Sequence, residues 1–368
     1  MMERRQVVTL WRGGHGGVLV TLVRAEGSSY RRPGARLLTG LADGAGYAGT
    51  ISGGCLESEV VRKAEWLVRS GAVVERYSML FDDTAEIPFG LGCGGVVDLL
   101  FESVTSAEGQ ALLTAMEASL SGQESTVVSF LPGRGRGLRR LLLDRDGAVV
   151  FSSAGLSAEK IACARGLVPG EEYEGRFVER LAAPHRLVIL GAGDDARPLA
   201  AMAAQLGWTV VVADGRAQLA RPERFPEAEL VLAAGPGLEL RAQDAIVIMT
   251  HSYEQDRAWL TASLAVGPRY LGLLGSRHRS SLLVSEAAEL LGRPLAWCCG
   301  QIFAPVGLDL GGDGPQAIAL AIVAEAHAVC SGRMAVRDRM TVAEVERQLA
   351  KGGATQYLQA KCALDVAL

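Results

Sequence analysis

The sequence predicts a two-domain α/β protein. A mixed α/β domain over 1–183 precedes a domain built on a parallel sheet over 184–335, and a helical tail follows over 336–368. Three features of the chain point there. Its 368 residues exceed what one core fills, at ~100–200 residues per domain. Beyond Pro184-His185, short apolar runs alternate with helical stretches, the pattern of parallel strands covered on both faces. Ahead of that seam the rhythm differs, with longer β-branched runs, glycine-bedded loops and one strongly amphipathic helix.

Composition narrows the class. Hydrophobic residues make up 49% and aromatics only 5%, so the cores are expected to be Val, Leu, Ile and Ala. Thirty-seven basic against 41 acidic residues give a net charge of −4, too balanced for a nucleic-acid surface. No apolar run approaches the ~18 residues of a membrane span, and the N-terminal stretch is broken by glycines too soon for a signal peptide. Seven cysteines, an odd number, in a chain of this size suggest reduced thiols and a cytoplasmic protein.

In chain order, Val18–Val23 reads as a buried strand emptying into Glu26-Gly27-Ser28-Ser29-Tyr30-Arg31-Arg32-Pro33-Gly34, a loop of turn formers and arginines. Residues 35–39 and 47–51 suggest a hairpin around Asp43-Gly44. After Cys55, the residues Leu56, Val60, Val61, Ala64, Leu67 and Val68 fall on one side of a helix, with Gly71 at its C-cap. Residues 96–102 form a strand. A helix over about 107–119, strands near 125–131 and 138–152, and an Asp146-Gly147 turn follow. In the second domain the expected strands are 187–190, 210–213, 229–233, 245–250 and 270–274, separated by helices.

The most informative motifs are two cysteines set in glycine, Ser52-Gly53-Gly54-Cys55 and Gly90-Leu91-Gly92-Cys93-Gly94-Gly95. Glycines strip away side chains and let backbone N–H groups approach whatever the sulfur meets. Cys55 stands at or just before a helix N-terminus, a setting used by nucleophilic and metal-binding cysteines. Cys93 lacks a clear helix after it. The bland alternative is a small residue at a tight turn. The two cysteines lack a zinc-ligand spacing, and Cys298-Cys299, Cys163, Cys330 and Cys362 read as structural or incidental.

Leu187-Val-Ile-Leu-Gly191-Ala192-Gly193-Asp194-Asp195-Ala196 reads as strand, glycine turn and helix, the start of a Rossmann-like domain. Gly191 would allow the turn and Gly193 the approach of a pyrophosphate at the helix N-terminus. Asp214, roughly 20 residues on, stands where an acid holds a ribose hydroxyl. Asp194 and Asp195 put negative charge where the phosphates would sit, and Arg216 is an alternative phosphate contact. Gly275-Ser276-Arg277-His278-Arg279 and His251 follow strands at their carboxyl ends, where ligands bind in such sheets. Ser28 and Ser29, with Arg31 and Arg32, form a possible phosphate loop in the first domain. Each of these has a structural reading as well, as a helix cap, a core histidine or a solvated loop.

Taken together, the blocks resemble the XdhC/CoxI family of accessory proteins for molybdenum hydroxylases such as xanthine dehydrogenase. They are Gly27-Ser28-Ser29 with Pro33-Gly34-Ala35, Gly53-Gly54-Cys55-Leu56-Glu57, Gly90-Leu91-Gly92-Cys93-Gly94-Gly95, the Gly191 turn, Asp214-Gly215-Arg216, Gly272-Leu273-Leu274-Gly275-Ser276-Arg277 and Gly307-Leu308-Asp309-Leu310. The resemblance implies an XdhC-type first domain with the cysteine motifs and a Rossmann-like second domain. It further implies binding of molybdenum cofactor (molybdopterin), support of its sulfuration by a cysteine desulfurase, and delivery to an apo molybdenum hydroxylase. Cys55 is then the residue at the position tied to cofactor binding, as a ligand of the cofactor's molybdenum, and family habit suggests a homodimer. Binding and delivery fit better than turnover as an enzyme. The chain departs from the pattern at Asp194, where many members have histidine, and in its loose Gly311-Gly312-Asp313-Gly314-Pro315 loop. Two rival readings are an NAD(P)-dependent oxidoreductase built on the Gly191 turn and a redox protein that pairs Cys55 with Cys93.

Overall fold

The computed structural model describes residues 1–14, 16–40, 46–78, 95–133, 135–233 and 238–333. The chain opens with α1 (Met2–Arg12), β1 (Gly16–Gly27), β2 (Arg36–Gly40), β3 (Tyr47–Gly49), α2 (Glu57–Leu67), β4 (Val73–Ser78) and β5 (Gly95–Ser103). Its five strands form one antiparallel sheet in the order β3-β2-β1-β5-β4. Next come α3 (Ala107–Leu120), β6 (Ser125–Phe130), β7 (Arg139–Asp144), β8 (Val149–Ser152), α4 (Ala158–Arg165) and β9 (Arg176–Leu181). These four strands make a second antiparallel sheet, β8-β7-β6-β9.

The alternation of apolar residues along the strands decides the layering. Between the sheets, Val7 and Val8 of α1 and Leu112, Leu113 and Met116 of α3 meet residues such as Leu19, Leu38, Val127 and Leu142. The opposite face of the first sheet is covered by Leu56 and by Val60 and Ala64 of α2. Ala164 of α4 covers the second sheet. A buried ion pair crosses from sheet to sheet. Arg140 of β7 donates to both carboxylate oxygens of Glu102 on β5, at 2.7 and 2.9 Å, and both side chains are at most 1% exposed.

The second half contains β10 (Arg186–Leu190), α5 (Ala196–Gln205), β11 (Thr209–Asp214), β12 (Leu230–Ala233), β13 (Ala245–Ile248), α6 (Tyr253–Val266), β14 (Tyr270–Leu273), α7 (Arg277–Leu291), α8 (Leu295–Cys299) and α9 (Pro315–Cys330). All five strands run parallel in the order β12-β11-β10-β13-β14. The chain winds outward from β10 first to one side and then to the other, the doubly wound pattern. Helices α5 and α9 cover one face and α6 and α7 the other, over strands made of Val, Ile, Leu and Ala as the low aromatic content predicts.

Five elements differ from the sequence reading. No full helix links β11 to β12; only one 3₁₀ turn, Pro222–Arg224, does so. Pro222 and Pro226 leave too short a run of free amides for an α-helix. Helices α1 and α4 and strands β4 and β9 are additions; α1 keeps its apolar residues to one face, where Val7 and Val8 are buried. Among the described residues no helix is long and apolar enough to cross a membrane. The expected tail helix over 336–368 and the Asp43-Gly44 turn lie outside the described residues.

Candidate functional site

The first candidate edge gathers the end of β1 and the loop before α2. Cys55, half-buried, stands two residues ahead of α2. Its loop is held by a carboxylate that reaches back along the chain. Glu57, only 1% exposed, accepts hydrogen bonds from the Thr50 hydroxyl (2.5 Å), the Ser52 amide (2.8 Å) and the Ser52 hydroxyl. Ser52 Oγ in turn accepts from the amides of Gly54, Cys55 and Leu56 at 3.1–3.2 Å. Burial alone would raise the Glu57 pKa, but the hydroxyls of Ser52 and Thr50 and the Ser52 amide reverse this and hold it at about 2. Glu57 is therefore ionised, and its charge orders the loop.

That network corrects one expectation. Of the Gly53 and Gly54 amides expected to cradle an anion, that of Gly54 is not free, because it donates to Ser52 Oγ together with that of Cys55. The soft donor of the loop is the free thiol of half-buried Cys55. Gly54 sits at φ +106 with no described atom within 4 Å of the position a Cβ would take. Gly53 lies against the ring of Tyr30, which would be 3.7 Å from a methyl there. The Ser28 carbonyl fits against Gly95, at 2.1 Å from where its Cβ would stand. Ser28, Ser29, Tyr30, Gly53, Gly54 and Cys55 thus share one edge of the first sheet. Cys93, Gly92 and Gly94 lie outside the described residues. The described cysteines Cys55, Cys163, Cys298, Cys299 and Cys330 are free thiols; Cys298 and Cys330 are core residues whose thiols burial pushes up.

The second candidate edge is the carboxyl end of the parallel sheet, and its own side chains close it. Gly191 takes φ +130 because the Met249 carbonyl passes 2.3 Å from its would-be Cβ. Beside Gly193, the Asp195 carboxylate lies 2.5 Å from the equivalent point, where a pyrophosphate would approach. Two like charges ~4 Å apart near a protein surface repel by roughly 4 kcal/mol. Asp195 pairs with His251 Nε2 at 2.8 Å, and His251 adopts the left-handed conformation at φ 61. Asp194, in the place of the family's histidine, is exposed and paired with Arg224.

Asp214, expected to hold a ribose hydroxyl, is engaged within the fold. It is fully buried, accepts from the Ala192 amide (2.7 Å), and is bridged by the Arg216 guanidinium at 2.7–2.9 Å. Burial opposes its charge, yet Arg216 and the amides hold its pKa below the usual range. Arg216 is correspondingly neutralised and is no free phosphate contact. Ser276 caps α7 by accepting from the Arg279 amide, Arg279 turns inward to the buried Asp256, and Arg277 remains exposed. The sheet edge therefore brings Gly191, Gly193, Asp214, Arg216 and His251 together in a self-satisfied cluster.

The cleft between the halves, about 800 Å³, is lined by residues at the amino ends of the parallel strands, such as Arg186, Thr209 and Asp244, and not by the Cys55 loop. It offers no shared chamber for a ligand on Cys55. A smaller cavity does lie beside that loop, bordered by Tyr30, Arg31, Arg32, Arg4 and Arg36. Sequence reasoning marks Arg31 and Arg32 but misses Arg4, Arg36, Tyr30 and the role of Glu57. For Glu57 a signal exists in the chain: a serine five residues ahead of a carboxylate at a helix start, close enough for the two side chains to meet.

Comparison with known proteins places these features. The profile of the XdhC and CoxI family matches residues 10–78, and that of the XdhC Rossmann domain matches residues 187–326. A probable xanthine dehydrogenase subunit of Bacillus subtilis is 29% identical over 84% of this chain and 91% of its own. The molybdenum cofactor insertion chaperone PaoD of Escherichia coli is 25% identical over 86% of this chain and 84% of its own. The crystal structure of a xanthine dehydrogenase from Bacillus halodurans superposes with a TM-score of 0.77 at 27% identity, covering 92% of this chain and 98% of that one.

Proposed function

This chain belongs to the XdhC and CoxI family, and from that premise we propose that it binds molybdenum cofactor as cargo and hands it to a xanthine dehydrogenase-type molybdenum hydroxylase. The single observation that carries this reading is the Cys55 loop. Its Gly54, Cys55 and Leu56 amides are spent on Ser52, and its half-buried thiol is the one soft donor in it. A thiolate is the ligand type that suits a soft, sulfur-ligated metal centre. Cys55 would meet the metal end of the cargo, while Tyr30 and the neighbouring arginines offer an aromatic face and positive charge for the rest of it.

Sulfuration by a cysteine desulfurase and assembly as a cytoplasmic homodimer are further parts of the proposal. Both are compatible with an accessible free thiol. The oxidoreductase alternative is disfavoured by the Asp195 carboxylate against Gly193 and by the engagement of Asp214.

The test is anaerobic titration of wild-type protein and Cys55→Ala with isolated molybdenum cofactor, reading molybdenum retained after gel filtration. Stoichiometric metal on the wild type, absent on a variant with unchanged circular dichroism, is the expected result. A wild type that retains no molybdenum, or a variant that retains it equally, overturns the reading.

A further inference from the structure

A cavity of about 440 Å³ opens between the first turns of α1 and the loop that follows β1. Arg4, Arg31, Arg32 and Arg36 line it, with Glu3 the one carboxylate among its walls. Their partners do not balance them. Arg31 pairs with Glu3, and Arg36 with Glu179. Arg4 donates only to neutral acceptors, the Ser119 hydroxyl at 2.8 Å and the Ala182 carbonyl at 2.7 Å. Arg32 is exposed and pairs with no described residue. Four guanidiniums face two carboxylates, so two guanidinium charges stay uncompensated, beside a Met1 ammonium whose pKa is lowered by burial and by Arg4 and Arg31.

Arg36 adds a second, independent sign. It is 7% exposed, with one terminal nitrogen on the Gly34 carbonyl and the other on Glu179, yet its Nε has no partner. A buried charged donor left open is destabilising, so the arginine cluster is short of acceptors. Burial, with Arg36 nearby, also lowers the Arg4 pKa to about 10 although Glu179 opposes the shift, as expected of cations gathered without their counter-ion.

We propose that this cavity is a phosphate site, taking the dianionic end of a phosphomonoester through Arg4, Arg31, Arg32 and Arg36. Two uncompensated charges match the charge of such a group, about −1.5 to −2 near neutral pH. The planar guanidinium fork matches its oxygens. The cavity also exceeds a bare phosphate, and one of its walls is Tyr30, whose ring is 71% exposed and rests against Gly53 of the Cys55 loop. The ester body therefore has an aromatic face to lie on in the direction of the thiol. On the cargo-carrier reading, on which this last identification rests, the phosphate belongs to the pterin end of the cofactor and the metal end reaches Cys55.

Calorimetric titration of the full chain with inorganic phosphate, at constant ionic strength, tests the site without any cofactor. Saturable binding is expected for the wild type. Arg4→Gln should weaken it about tenfold or more, and Arg32→Ala about threefold, in line with the removal of one charge-assisted hydrogen bond. Arg62→Ala, on the exposed side of α2, should bind as the wild type does. Arg32 makes no side-chain bond that the fold depends on, so its variant remains informative if Arg4→Gln misfolds. No saturable binding by the wild type, or unchanged binding by folded Arg4→Gln and Arg32→Ala, overturns the site. Molybdenum retention without phosphate binding sinks the pocket and leaves the carrier. Phosphate binding without molybdenum retention does the reverse.

Discussion

The two glycine-rich edges of this molecule use similar sequence grammar and reach opposite ends. At the Cys55 edge, Ser52 and Glu57 draw the loop amides inward, and no described atom lies within 4 Å of where a Gly54 Cβ would stand. At the carboxyl edge of the parallel sheet, the glycines admit the protein's own groups: the Met249 carbonyl at Gly191 and the Asp195 carboxylate at Gly193. A glycine motif announces that something comes close. Whether that something is a ligand or another part of the chain depends on residues far away in sequence.

Substitutions can break that contrast, and the largest effect is expected at the closed edge. Gly191→Ala must place a methyl 2.3 Å from a carbonyl oxygen at φ +130, and should destabilise the protein by roughly 4 kcal/mol or more. Denaturant melts would check this, and a change under about 1 kcal/mol would mean that the turn is not packed as described. Glu57→Ala strands two amides and two hydroxyls in the Cys55 loop, so about 3 kcal/mol should be lost. Glu57→Gln, which can still accept hydrogen bonds, should fall between.

The same carboxylate gives a pH signature. Its pKa drops from 4.5 unfolded to about 2 folded, so its contribution is full above about pH 5 and fades as pH falls through 2. At most about 3 kcal/mol is lost over that window. Glu57→Gln should flatten that part of the stability profile, and an unchanged acid limb would show that other carboxylates set it. The smallest effect sharpens the contrast from the Cys55 side. Gly54→Ala meets strain at φ +106 but no described neighbour, and should cost only about 1–2 kcal/mol. A loss as large as that of Gly191→Ala would erase the distinction between the edges.

The parallel sheet was readable because its strands are continuous apolar runs, a pattern that needs no partner to be recognised. The Cys55 helix was readable from the spacing of Leu56, Val60 and Ala64. What the chain hid were relations between distant positions. Nothing local in Asp195 says that it will swing against Gly193 and meet His251, fifty-six residues away. Arg4 and Arg36 come together because α1 lies against β2, a packing relation that no local pattern in either segment announces. Asp214 was placed correctly at a strand end, but its partner Arg216 turned a candidate ligand group into a structural one.

The Glu102–Arg140 bond between the two antiparallel sheets governs how the first half can come apart. Separating the sheets would leave two opposite charges without each other inside an apolar layer, which costs several kcal/mol before any water arrives. A half-open intermediate is therefore disfavoured, and slow amide exchange in β1, β5 and β7 should share one rate, that of a concerted opening. The thiol at the head of α2, mounted on the first of those sheets, would then keep its bearing until the whole half melts.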